Sequence, residues 1–211
     1  MIRAIYFDGF KTLFRWKKPD PEDMILEHFR LSLSYTEVQQ RVMTVHCDAF
    51  GHDIERFELR AAQNLGLDGS QRQELSRLLH EAGRRAALEG DAQHVIEELK
   101  GRGYRLGLIT DIWPHPIADG IIPTSFIRLF DVFSPSYAVG KVKPDPERFL
   151  AALHGVNPHE AAMIGDSIEM DIMPAKSLGM TTVLFDPRHE HRNPPADYQV
   201  PSLADVLKIF P

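Results

Sequence analysis

Short, mainly apolar runs alternate with longer amphipathic stretches through most of this chain. Arg3 to Phe7, Leu106 to Ile109, Ala161 to Ile164 and Thr181 to Phe185 are such runs, rich in strand formers. Runs of four or five residues without polar alternation predict strands covered on both faces. Helical spacing appears between them. Val95, Ile96 and Leu99 fall on one face of Asp91 to Gly101, which opens on Gly90-Asp91 and stops at Gly101. Pro146 to Leu153 predicts a second helix, and a third begins at Pro174 and ends at Gly179. Strands that alternate with helices predict an α/β fold, a doubly wound parallel sheet.

One stretch breaks the alternation. From Pro21 to Leu88 the pattern holds no convincing strand. Met24, Ile25 and Phe29 recur at helical intervals, as do Val38, Val42 and Val45, then Phe57, Leu59 and Leu65, then Leu75, Leu78, Leu79 and Leu88. This predicts an inserted helical cap over residues 16–88, with residues 1–15 and 89–211 forming the core. Lys17-Lys18-Pro19-Asp20-Pro21 reads as the outgoing linker and Leu88-Glu89-Gly90 as the return.

A length of 211 residues suits a core plus a small insert. The net charge of -6 argues against a nucleic-acid partner, which would want a basic face. It does not oppose a small phosphorylated substrate, because a bound metal and one or two lysines reverse the sign locally. Cys47 is the single cysteine, which excludes an internal disulfide, fits a reducing cytosol and reads as a buried helical residue. No apolar run approaches the roughly 18 residues of a membrane span, so a cytoplasmic protein without membrane association is expected. Oligomeric state is left open by the pattern.

In a parallel sheet, ligands collect at the carboxyl ends of the strands. Here the predicted strands end in reactive groups: Asp8 after the first, Thr110-Asp111 after the second, Gly165-Asp166-Ser167 after the third. Lys143 lies in Gly140-Lys141-Val142-Lys143-Pro144-Asp145-Pro146, just before a helix. Two carboxylates, a hydroxyl and an ammonium suit phosphoryl transfer to a carboxylate. One Asp attacks phosphorus, magnesium offsets the charge between anions, and the hydroxyl and lysine bind phosphoryl oxygens.

Four segments resemble the haloacid dehalogenase-like (HAD) hydrolase superfamily. They are Phe7-Asp8-Gly9-Phe10-Lys11-Thr12-Leu13, then Leu108-Ile109-Thr110, then Lys143-Pro144-Asp145-Pro146, and finally Ile164-Gly165-Asp166-Ser167-Ile168-Glu169-Met170-Asp171. The helical insert sits where one class of that family carries its cap. The resemblance implies a Mg2+-dependent phosphatase acting on a small phosphorylated metabolite. By it Asp8 is the nucleophile, Thr110 and Lys143 hold the phosphoryl group with Asp111 beside them, and Asp8, Asp166, Asp171 and the Phe10 carbonyl surround the metal. Local alternatives stand beside these roles. Asp171 precedes Ile172-Met173-Pro174 and also reads as a helix N-cap. Lys141 reads as solvated, and His189 and His191 read as surface-loop residues.

The first motif departs from the family pattern twice. The second Asp, which protonates the leaving alcohol and later activates water, is Phe10, and the glycine that usually follows is Lys11. Three functions remain: an impaired phosphatase, a binding or regulatory module, and a haloacid dehalogenase. The last tolerates an aromatic residue at position 10, but Asp166 argues against it, and only Arg15 and Arg30 offer themselves as halide ligands. If a cap histidine replaces the missing acid, His28, His46 and His52 are the candidates.

Overall fold

A computed structural model of the chain describes residues 1–46 and 53–211, without the side chain of His46. Cys47 and His52 therefore lie outside the described residues, as does the His46 imidazole. Six parallel strands form the main sheet: β1 (Ala4–Phe7), β4 (Arg105–Thr110), β5 (Val132–Pro135), β6 (Ala161–Gly165), β7 (Thr181–Phe185) and β8 (Tyr198–Val200). Their spatial order is β5-β4-β1-β6-β7-β8. The chain leaves β1 on one side and returns on the other, so the strand order reverses there, and a crevice opens at the carboxyl ends of β1, β4 and β6.

Side-chain alternation explains the layering. Ile5 and Phe7 point to one face of the sheet, where Val95, Ile96 and Leu99 of helix α5 (Ala92–Gly101) cover them. Ala4 and Tyr6 point to the other, against Phe149 and Ala152 of α9 (Pro146–Leu153) and Ala175 of α10 (Met173–Ser177). Both faces of β1 are fully buried, which is why the strand reads as an unbroken apolar run.

Between β1 and α5 the described residues form four helices, α1 (Pro21–Phe29), α2 (Tyr35–His46), α3 (Ile54–Leu65) and α4 (Gly69–Gly83). Their apolar faces meet in a cluster that includes Ile25, Val38, Val42, Phe57, Leu75 and Leu79. Trp113, from the loop after β4, also packs into that cluster. At the crossing, β2 (Phe14–Trp16) and β3 (Ala86–Leu88) pair antiparallel as a separate ribbon. The expectation of no strand before Leu88 is thus corrected at Ala86. Three residues cannot display a period, and the strand exists only because β2 offers it a partner.

Three further helices, α6 (His115–Ala118), α7 (Thr124–Ile127) and α8 (Ser136–Val139), fill the loops around β5, and α11 (Val206–Ile209) closes the chain. No helix among the described residues is long and apolar enough to cross a membrane.

Candidate active site

Asp8 directly follows β1, and its N–H donates to the Ile164 carbonyl at 2.8 Å, extending the ladder by one residue. The register pairs Phe7 with both Leu108 and Ile164, so Asp8 lies between the ends of β4 and β6. Thr110 ends β4, and its buried hydroxyl has no hydrogen-bond partner. A Cβ on Gly9 would collide with that hydroxyl, so the glycine lets the loop after Asp8 approach Thr110.

Lys143 reaches this point from 135 positions away. Its ammonium donates to the Asp8 carboxylate and, at 2.7 Å, to Asp171 Oδ1. Asp8 and Lys143 are each 5% exposed and Asp171 1%. Asp166 completes the group, and ligand oxygens of Asp8, Asp166 and Asp171 all lie within 4.8 Å of one another. Asp171 is not the N-cap of the helix that follows, which corrects the local alternative. Residues Ile168–Ile172 form a π-helical turn capped by Ser167, whose hydroxyl accepts from the Met170 N–H. Asp171 points inward instead, and a Cβ on Gly165 would fill the space its carboxylate occupies.

Charge explains the strain of this arrangement. Burial pushes Asp171 up to about 7, opposed by Lys143 and aided by the Asp8 carboxylate. Burial pushes Asp166 up to about 6, with Asp8 adding and Lys11 opposing. For Lys143 burial works downward, yet Asp171, Asp8 and Asp111 outweigh it and hold the ammonium above the usual lysine range. Three carboxylates around one ammonium leave an excess of negative charge that a divalent cation would balance. The donor set, all hard oxygen, suits magnesium.

Asp111 turns toward the scaffold. Its Oδ2 accepts from the Lys143 backbone N–H at 2.9 Å, and its Oδ1 lies 3.7 Å from Arg148 Nε. Arg148 is fully buried and also donates to the Ser134 hydroxyl and carbonyl and to the Thr110 carbonyl. Sequence reasoning passed over this residue. A signal was present, because Arg148 lies on the same helical face as Phe149 and Ala152, where an arginine is out of place. Thr12 was also passed over. It is fully buried two residues beyond Phe10, with an unpartnered hydroxyl.

The Phe10 ring stacks on Trp16 at 4.2 Å between centroids and 11° between planes, with Phe14 edge-on at 5.7 Å. Lys11 adopts φ of 67°, and its N–H donates to the Phe14 carbonyl at 2.6 Å. The Phe10 carbonyl accepts none of the bonds that close this turn. Elsewhere, His28 is exposed on α1 and sits 3.6 Å from Glu74. Arg15 pairs with Glu89 at 3.0 Å, and Arg30 is an exposed cap residue of α1. Lys141 is 40% exposed and paired with Asp145 and Glu147. His189 and His191 lie in an exposed loop.

The model of the haloacid dehalogenase-like hydrolase family matches residues 51–185. The chain is 31% identical over 158 residues to a phosphoserine phosphatase of Thermus thermophilus, covering 74% of this chain and 63% of that protein. It is 38% identical over 129 residues to a glyceraldehyde 3-phosphate phosphatase of Pyrococcus furiosus, covering 56% and 52%. The chain thus spans between half and two thirds of the length of these relatives. A HAD phosphatase from Thermococcus onnurineus superposes with a TM-score of 0.68 at 25% identity, over 99% of this chain and 97% of that one.

Proposed function

Since this chain belongs to the haloacid dehalogenase-like hydrolase family, we propose that it is a magnesium-dependent phosphatase of small phosphorylated metabolites, slowed by Phe10. The observation that carries this reading is the buried cluster of Asp8, Asp166, Asp171 and Lys143 beside the unpartnered hydroxyl of Thr110. Magnesium would be held by Asp8, Asp166, the Phe10 carbonyl and Asp171, directly or through water, and when bound it would offset the charge of phosphoryl and carboxylate oxygens.

Asp8 supplies the attacking oxygen, and its bond to phosphorus forms as the bond to the leaving oxygen breaks. Lys143 keeps the carboxylate oriented and meets the negative oxygens of the phosphoryl group, while the Thr110 hydroxyl donates to one of them. Asp111 and Arg148 act as positioning residues, tying the strand end that bears Thr110 to the loop that bears Lys143. Water attack on phosphorylated Asp8 then releases phosphate. Both steps lack their usual proton carrier, because a phenyl ring neither gives nor takes a proton.

General acid–base help contributes roughly 10²–10⁴-fold to such reactions. Aryl and acyl phosphates expel stable anions and need it less than alkyl phosphates do. We expect magnesium-dependent hydrolysis of nitrophenyl phosphate, slow or absent alkyl phosphatase activity, and accumulation of phosphorylated Asp8. Phe10→Asp should raise alkyl phosphate turnover by about 10²-fold or more. Magnesium-independent activity in the wild type, or equal rates on aryl and alkyl esters with no trapped intermediate, would overturn the reading. Phosphate binding without turnover in either variant would favour a binding module, the role that the missing proton carrier also suits.

A further inference from the structure

At one corner of the molecule α3 and α4 of the helical insert meet α6 of the core. Among the described residues, the side chains there form a second group able to hold a metal: Glu58, His80 and His115, with one ligand atom from each lying within 4.8 Å of the others. Glu58 is 6% exposed and His115 fully buried, an unusual place for a carboxylate and an imidazole. Both imidazoles present Nε2 to the same oxygen, Glu58 Oε1, from 3.1 Å for His115 and 3.8 Å for His80. The two rings stand 82° apart in plane, so neither blocks the other.

The far side of His80 is also arranged. Its Nδ1 lies 2.8 and 3.0 Å from the two carboxylate oxygens of Asp119. A carboxylate at one imidazole nitrogen holds the proton there and leaves the lone pair on the other. Asp119 therefore aims the His80 Nε2 lone pair into the corner shared with Glu58 and His115. Tetrahedral zinc, with Zn–N bonds of 2.0–2.1 Å, sets its ligand atoms about 3.3 Å apart. The observed 3.1 and 3.8 Å lie on either side of that value. Two imidazoles and one carboxylate favour zinc or a similar transition ion over magnesium, which prefers oxygen.

The geometry points to a transition-metal site of the zinc class at the junction of insert and core, liganded by His80 Nε2, His115 Nε2 and Glu58 Oε1 and oriented by Asp119. His80 is 35% exposed, which leaves a route for the ion and room for water as the fourth ligand. Two ligands come from the insert and one from the core, so a bound ion clasps them together. The site is separate from the carboxylate cluster around Asp8 and does not rest on the phosphatase reading.

A hydrogen-bonded clasp without metal is the competing account, since Glu58 Oε1 also accepts from Ser76 at 2.8 Å. Calorimetry with zinc chloride, in saturating magnesium to fill the carboxylate site, separates the two. One zinc per chain should bind the wild type, and cobalt in its place should give the visible absorption of a tetrahedral site. His80→Ala changes a partly exposed residue and should weaken zinc binding by at least about 100-fold, and Asp119→Asn by about 10–100-fold. Asp166→Ala should leave zinc affinity unchanged. Equal zinc affinity in His80→Ala and wild type would overturn the proposal, as would loss of zinc binding in Asp166→Ala or no binding to the wild type at all.

Discussion

Asp166 and Asp171 keep protons in the folded protein that the unfolded chain gives up near the ordinary value of 3.8, since burial raises them to about 6 and about 7. A raised carboxyl favours the fold most below the unfolded value, and that advantage is lost as pH rises through the folded one. Without metal, the melting temperature should therefore fall between pH 5 and pH 8. Magnesium favours the charged forms, so it should raise the melting temperature more at pH 8 than at pH 5. Calorimetric scans in EDTA and in magnesium check both statements, and a melting point that climbs with pH in EDTA contradicts them. Lys11 carries a second residue-scale strain. At φ of 67° a side chain costs about 1–2 kcal/mol, and the entropy of glycine returns about 0.5–1 kcal/mol of that. Lys11→Gly should raise the melting temperature by about 2 °C, at 2–4 °C per kcal/mol for a chain of roughly this size. Lys11→Ala keeps the strained backbone and should give no rise.

Helix α9 and strand β4 depend on each other through one guanidinium. Arg148 satisfies carbonyls at the ends of β4 and β5 and faces Asp111, all without solvent contact. Removing one partner of a buried charged pair costs about 3–5 kcal/mol, because the other charge stays buried. Arg148→Ala should be destabilised by that amount in urea unfolding. Arg148→Ala with Asp111→Asn should cost less than the sum of the two single changes, since the second removes the stranded charge. Additive costs would show that the pair is not coupled. Of the elements themselves, the four apolar runs correspond to β1, β4, β6 and β7, and the helix over Pro146–Leu153 matches residue for residue. The strands that escaped notice are β2, β3, β5 and β8. Each has three or four residues, and β8 is exposed at two of three, so none carries a readable period.

Across the whole molecule, aromatic rings run from the loop after Asp8 to the insert: Phe10 on Trp16, Trp16 at 6.4 Å from Trp113, and Trp113 at 6.4 Å from Phe57 of α3. Both tryptophans of the chain lie in this row. Asp8, Lys143 and Asp171 are nearly sealed from solvent, so on the proposed phosphatase reading the insert would move as a lid to admit substrate. Binding of magnesium and inorganic phosphate should therefore shift tryptophan emission, and Trp113→Phe should remove most of the shift while leaving affinity within a few-fold. Phosphate binding seen by calorimetry with no change in emission would rule out lid movement at this junction.

The sequence by itself determined the layers and the reactive strand ends. A strand buried on both faces must be apolar throughout, and a parallel sheet brings its carboxyl ends together, so the sequence alone groups Asp8, Thr110 and Asp166. Tertiary structure alone decided the rest. For Asp171 the sequence offers both a helix cap and a place beside the metal, and only the bond from Lys143, 28 positions away, holds it in the cluster. Arg148 stands out of place on the apolar face of its helix, but its partners Ser134, Thr110 and Asp111 come from other elements and appear only in the fold. Glu58 and His115 meet across 57 positions and two packed units. Periodicity records which side of an element is buried, because burial is a property of each residue's own environment. Partnership between distant polar groups arises only when the chain folds back on itself and brings them within bonding distance.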